Sequence, residues 1–330
     1  MNVDAGVALE DLGVVYAFAV KAGEARPIGH HGVSAEDSDY RWHHLNLGIE
    51  PGRRWLSRNA GLPAQLCTTF ANRTLDVGAY NFGSGLLLVL EDQQEKMGEG
   101  GDLADLSEMH VWVDPRQVIT GRWHGLAAPN RLRFRLEKGR APDTPIALVL
   151  DLMGEVVTDV EAITARCEIR LDSLEDRVLD DETQGVAAEL GALRREFSQL
   201  RRRLMPLRKA LDIITSSDLP WLRPEDRDRV AALCNRIERA QGDVSAAQEQ
   251  ARLLQDETSA RLAERSGRNI YILSVLTAVL LPLNLITGIF GMNVAGLPGL
   301  HDASAFLWVM LSMVGVGVAM LALFKVTRWF

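Results

Sequence analysis

The sequence predicts an α+β soluble part followed by two C-terminal transmembrane helices, and three patterns predict it. Residues 1–150 carry short apolar, β-rich runs separated by turn signals. From Ile146 onward the apolar residues step at helical spacing. Near the C-terminus, Tyr271–Phe290 and Ala303–Phe324 contain no charged side chain. Each of these runs is long enough to cross a hydrocarbon core of about 30 Å at about 1.5 Å per residue.

Within residues 1–150, a mixed α/β domain, strands are predicted at Val14–Val20, Trp42–Leu47, Leu86–Leu90, His110–Val113 and Val118–Thr120. Gly83-Ser84-Gly85 and Asp114-Pro115 supply turns between them, and Met97–Gly101 reads as a loop. Helices are predicted at Arg53–Asn59 and Ala64–Ala71. Thr144 is placed to cap the next helix, with Pro145 in its first turn.

Residues 151–223 read as a helical hairpin. Leu150, Val157, Ile163, Ile169, Leu171, Leu174 and Val178 are assigned to one apolar face. Asp180–Gly185 interrupts the pattern, and Leu190, Leu193, Phe197, Leu200, Leu204 and Leu207 form a second stripe. The first helix is rich in Glu and Asp and the second in Arg, so an acidic face is expected against a basic one. Ser217–Pro224 breaks the second helix.

Residues 224–293 read as one long stalk helix continuing into the first span, because no proline lies between Pro224 and Pro282. Its apolar marks before the membrane are sparse: Val230, Leu233, Ile237, Val244, Ala247, Leu254 and Leu262. A lone helix of that kind lacks burial and needs neighbours, most simply copies of itself around an axis. Residues 294–304 form the loop between spans, and 305–330 the second span and C-terminus. Arg261, Arg265 and Arg268 precede the first span, Lys325 and Arg328 follow the second, and the loop has neither Lys nor Arg. The positive-inside rule then places both ends in the cytosol and the loop outside. The first ten residues lack the basic start of a signal peptide, consistent with a cytosolic N-terminal part.

Composition excludes several classes. A net charge of −8 offers no footprint for nucleic acid. The three cysteines, Cys67, Cys167 and Cys234, fit a reduced compartment and lack metal-motif spacing. There is no nucleotide-binding glycine loop, Walker-type lysine or supported Ser/His/Asp order, so no nucleotide, cofactor or enzymatic activity is expected.

The chemistry concentrates in the first span. Ser274, Thr277, Leu281, Asn284 and Gly288 step by three and four, and Ile270 starts the same stripe one turn earlier. Hydrocarbon penalises such a face, whereas a helix interface or an aqueous lumen accepts it. Asn284 favours the lumen, since a bare amide is the costliest of these groups in lipid. The span ends in Gly291-Met292-Asn293, where a glycine gives the backbone room to leave the helix. Asn293 can then present an amide oxygen to the water shell of a hydrated dication. Among the histidines, His43 and His44 fall on opposite faces of a strand in a structural role. His30 and His31 lie in a polar stretch, and His301 and Asp302 in the loop can gather cations.

The stretch from Pro220 to Phe330 resembles the CorA superfamily of divalent-cation transporters. The resemblance rests on Tyr271–Thr277, Leu281–Gly288, Gly291-Met292-Asn293, the short loop and the second span. It extends loosely to the strands around Leu86–Leu90 and His110–Thr120. Gly291–Gly299 looks most like the zinc-transporting ZntB branch. Magnesium-transporting members usually follow the tripeptide with an aromatic and a Pro-Glu pair, but here the Glu position is Gly299 and no acid occurs before Asp302.

The resemblance implies a funnel-shaped homopentamer in the bacterial cytoplasmic (inner) membrane with an αβα soluble domain. It implies that the long helix lines the pore and that the second span packs outside it. Gly291, Met292 and Asn293 would form the outer entrance, and Asn284 stands where the family usually places a pore-facing Thr. The expected partners are divalent cations, with Zn2+ the transported ion, the lipid bilayer and further copies of the chain. Magnesium, cobalt or nickel transport, or a membrane-anchored scaffold or sensor, are the alternatives.

Overall fold

The computed structural model describes residues 12–28, 38–73, 75–83, 85–94, 106–217, 219–292 and 304–326. Its contacts divide the chain into two units, Met1–Leu254 and Gln255–Phe330.

The first unit is built on a seven-stranded sheet. Its strands are β1 (Val14–Lys21), β2 (Glu24–Pro27), β3 (Tyr40–Asn46), β4 (Gly78–Phe82), β5 (Gly85–Gln93), β6 (Leu106–Asp114) and β7 (Gln117–Arg122). They lie in the order β2-β1-β3-β7-β6-β5-β4, with only the β3–β7 pair parallel. In β5 the run Leu86–Leu90 is buried on both faces, the pattern of a strand with helices above and below. On one side Leu45, Leu87, Trp112 and Ile119 pack with α1 (Glu50–Asn59) and α2 (Ala64–Ala71). On the other, Leu86, Leu88, Val111 and Val113 pack with α3 (Ala127–Glu137), α4 (Pro145–Leu179) and α5 (Val186–Ser216). The αβα sandwich implied by resemblance is therefore present.

The five predicted strands are β1, β3, β5, β6 and β7. The two that the sequence did not announce, β2 and β4, are the two edges of the sheet. Edge strands bury little, and these carry Pro27, Asn81 and the exposed Phe82, so no apolar alternation marks them. α3 was also not predicted; its four buried residues, Ala128, Pro129, Leu132 and Leu136, are interleaved with three arginines and other polar side chains. α1 begins at Glu50, with Pro51 in its first turn, ahead of the predicted Arg53. Met97–Gly101 lies outside the described residues.

Thr144 caps α4 as expected: its Oγ1 accepts from the Ala147 N–H at 3.1 Å. The same hydroxyl donates to Asp226 Oδ1 at 2.6 Å, tying the start of α4 to the start of α6 (Pro224–Phe290). α4 and α5 pack as a hairpin, and Gly185, at φ +78°, takes the left-handed conformation that starts α5. Two details of the hairpin differ from expectation. Ile169 is 70% exposed, because it sits two residues from Leu171, about 200° around a helix, and so is out of phase with Cys167, Leu171 and Leu174. The charges also pair in the reverse sense. Arg170 of α4 bonds Glu196 of α5 at 2.9 Å, and Arg177 bonds Glu189 at 2.9 Å. The α4 acid Glu161 instead faces Arg236 on α6.

α6 is continuous over 67 residues, as predicted. The need for copies to cover its early apolar marks does not hold. Val230, Leu233, Ile237, Val244, Ala247 and Leu254 are all buried in the core shared with α4 and α5. Arg208–Glu238 and Arg236–Glu161 add ion pairs, each worth roughly 0–1 kcal/mol at this exposure. The chain itself supplies these neighbours. Leu262, in the second unit, is 40% exposed.

Candidate functional site

The second unit holds the two apolar helical segments, the end of α6 and α7 (Ala305–Val326), with mean hydropathy of 2.2 and 2.3 in their most apolar windows. Neither window is buried within the chain. The predicted stripe of Ile270, Ser274, Thr277, Leu281, Asn284 and Gly288 lies on one face of α6, within an arc of about 80° at 100° per residue. All six are exposed; Ile270 and Leu281 reach 64% each.

Another face of α6 is half-covered, through Tyr271, Val275, Ala278, Val279, Pro282, Leu283 and Ile286. Its centre lies about 140° around the axis from the polar stripe. α7 has one matching stripe, Val309, Met313, Val316, Gly317, Met320 and Phe324, while Trp308 on its other side is 64% exposed. Each of the two helices thus has one half-covered stripe. The polar stripe lies apart from the half-covered face of its own helix.

The hydroxyls on the stripe are oriented. Ser274 Oγ donates to the Ile270 carbonyl at 2.8 Å, and Thr277 Oγ1 to the Leu273 carbonyl at 2.8 Å. With its proton committed to the backbone, each hydroxyl turns only acceptor lone pairs outward. Thr287, off the stripe, donates to the carbonyls of Leu283 and Asn284 at 3.1 and 3.0 Å. The Asn284 amide makes no hydrogen bond to any described residue and stays available to solvent. Sequence reasoning ranked these residues by polarity and missed the direction of their dipoles. The signal was present, since a Ser or Thr in an apolar helix bonds the carbonyl four residues back.

At the end of the stripe, the Gly291 N–H bonds the Thr287 carbonyl at 2.8 Å, the last helical bond. A Cβ on Gly291 would stand 2.9 Å from that same oxygen, so a side chain there would push the chain off its exit path. Met292 follows, 50% exposed. Asn293, His301 and Asp302 lie outside the described residues, as do His30 and His31.

The other candidates resolve as structural. His44 is buried, its Nδ1 lies 2.7 Å from Thr120 Oγ1, and its ring stacks on Tyr16 at 4.7 Å. His43 points to the opposite face of the sheet, but against Trp55 of α1 and not into solvent. Burial, then Arg41, lowers His43 to about 4, and burial, then Arg122 and Arg133, lowers His44 well below its ordinary value. Among the described residues no three His, Cys, Asp or Glu side chains gather as a metal site.

Comparisons with known proteins agree on one family. The family model described as "CorA-like Mg2+ transporter protein" matches residues 37–326. The "Divalent cation transporter CmaX" of Pseudomonas aeruginosa is 28% identical, over 97% of this chain and 98% of that protein. The "Zinc transport protein ZntB" of Pectobacterium atrosepticum is 27% identical, over 89% of each. Among solved structures, full-length CmaX superposes with a TM-score of 0.81 at 27% identity, covering 99% of this chain and 100% of the other. The CorA magnesium transporter of Methanocaldococcus jannaschii superposes with a TM-score of 0.79 at 18% identity, covering 96% and 98%.

Proposed function

We propose, from the premise that this chain belongs to the CorA family of divalent-cation transporters, that it carries zinc through an axial pore lined by α6. The observation that carries the reading is the exposed polar stripe of α6, which lies apart from that helix's half-covered face. A lipid-facing stripe would leave the Asn284 amide without a partner in hydrocarbon, and an anchoring helix has no use for it. Copies of the chain arranged with these stripes inward enclose a lumen, and five copies is the number the family resemblance supports. On this reading α7 lies on the outside, as the family resemblance implies.

Such a lumen is neutral. Tyr271–Phe290 has no carboxylate to strip an ion of water. Acceptor oxygens of Ser274, Thr277 and Asn284 instead hydrogen-bond the water of a partly hydrated dication. Gly291, Met292 and Asn293 form the outer mouth, with Asn293 offering one amide oxygen per copy, and His301 and Asp302 gather cations in front of it. Zinc over magnesium is supported by Gly299 at the position where magnesium-transporting members usually carry Glu. It is supported too by the relatives named as zinc transport proteins. Both termini are cytosolic on this reading, because the basic residues flank those ends and the loop has none.

Zinc uptake into liposomes carrying an internal dye tests the pore mouth. Asn293→Ala is expected to abolish flux with oligomer size unchanged by native mass spectrometry. Transport at the normal rate would reduce the tripeptide to a helix cap and remove the mouth.

A further inference from the structure

A cavity of about 760 Å³ lies in the first unit where α3, the loop after it, α4 and the first turns of α6 meet. Its size is that of a small-molecule site. Its walls carry more positive than negative charge: Arg135, Lys138, Arg140, Arg229 and Arg236 against Asp151 and Glu155. That is a local reversal in a chain of net charge −8.

Two of the five cations are already engaged. Arg135 pairs with Asp151 at 3.4 Å and Glu155 at 3.2 Å. Arg236 pairs with Glu161 and donates to Thr158 Oγ1 at 2.8 Å. The side chains of Lys138, Arg140 and Arg229 have no hydrogen bond or ion pair among the described residues. Burial raises the Asp151 carboxyl, and Arg135 and Arg229 pull it back. Within ion-pair distance Asp151 is held by Arg135.

The backbone that presents Lys138 and Arg140 is pinned. Gly139 N–H bonds the Leu136 carbonyl at 2.8 Å, and Ala141 N–H bonds the Gly23 carbonyl at 2.9 Å. Tyr40 Oη donates to the Pro142 carbonyl at 2.7 Å. The Thr144–Asp226 bond then joins this loop to α6 one turn before Arg229. Three free cations are thus offered from two elements that are already tied together, over an apolar floor of Leu132, Leu136 and Leu233.

We infer that this cavity binds a small phosphate-bearing anion, held by Lys138, Arg140 and Arg229. Several cationic groups, two of them planar guanidiniums, suit the multiple charges and paired oxygens of a phosphate better than a single carboxylate. A free polyphosphate and a nucleotide share this chemistry, and only the nucleotide has a base to lay on the apolar floor. Because binding is read without flux, its failure leaves the transport reading untouched.

The test is isothermal titration calorimetry on the full chain in detergent, free of divalent cations, with inorganic pyrophosphate and with ATP as probes. Saturable binding of one anion per chain is expected. Arg140→Gln with Arg229→Gln should weaken it at least tenfold, Arg229→Lys should retain it within a few-fold, and Asp151→Asn should tighten it. Equal affinities for the two probes assign the site to the phosphates alone, and tighter ATP binding assigns the floor to the base. No saturable heat with either probe overturns the site. So does an unchanged affinity in the double variant, or loss of all binding to chloride at equal ionic strength.

Discussion

Replacing Asn284 by Leu has opposite consequences in the two environments that the polar stripe of α6 can face. In hydrocarbon, an amide without a partner costs roughly 2–7 kcal/mol, depending on the reference solvent. Leu in the same place is favourable by about 0.5 kcal/mol. A lipid-facing Asn284→Leu chain would then gain on the order of 2 kcal/mol or more in stability and transport as before. In a water-filled lumen the exposed amide costs nothing, and Leu removes an acceptor from each copy. One hydrogen bond to the ion's water is worth about 1 kcal/mol, and several copies converge at the same depth. A barrier raised by only about 1.4 kcal/mol already slows flux tenfold. Because the Asn284 side-chain amide bonds no described residue, no internal partner blurs the comparison. Zinc uptake into liposomes and thermal unfolding in detergent, on one preparation, read both signs. The expected result is at least tenfold slower uptake at unchanged stability. A variant that is more stable and transports at the wild-type rate would refute the lumen.

Three further outcomes are expected. A cysteine at Ser304 should react with an impermeant thiol reagent applied outside intact cells, and one at Arg265 should not; the reverse pattern inverts the topology. Thr144→Ala removes the α4 cap and leaves the buried Asp226 carboxylate short of a donor, a loss of about 3 kcal/mol in urea unfolding followed by tryptophan fluorescence. Thr144→Ser should recover most of it, and a neutral Thr144→Ala would mean the bond contributes little. Burial raises the Asp92 carboxyl from 3.8 to about 6, against the pull of the Ala128 N–H bond. The folded chain therefore holds that proton more tightly than the unfolded one. Its stability falls as pH rises from about 4 to about 6 and then levels. Asp92→Asn, which imitates the protonated form, should be more stable than wild type by on the order of 2 kcal/mol above pH 7 and equal to it near pH 3.5. A variant that is less stable above pH 7 would show that the carboxylate stabilises the fold.

Much of the architecture could be read from residue pattern, and the misses have physical reasons. Central strands such as Leu86–Leu90 are apolar throughout because both faces are covered, so they stand out. β2 and β4 bury too little to leave a pattern. The long helix was legible because proline is absent between Pro224 and Pro282, a constraint of backbone chemistry that packing does not override. What covers that helix was not legible. Periodicity marks a buried face without naming its partner, and α4 and α5 fill the place that copies of α6 were expected to take. The reversed Arg170–Glu196 and Arg177–Glu189 pairs have the same origin: net charge along a helix does not say which side each residue points to. In the candidate site, the stripe from Ile270 to Gly288 follows from spacing alone, whereas the separate half-covered face of α6 is a matter of burial that spacing does not assign.

If the stripe of α6 lines a pore as proposed, the committed protons of Ser274 and Thr277 bear on which ions that neutral lining tolerates. A freely rotating hydroxyl adapts to its passenger, turning oxygen to a cation and hydrogen to an anion. Here the turn would break a bond to the Ile270 or Leu273 carbonyl, about 1 kcal/mol for each hydroxyl. A pore lined by that face, as proposed, would present dipoles biased towards cations by the helix backbone. Neither acid nor base in the physiological range can rewrite that bias, because nothing on that face titrates.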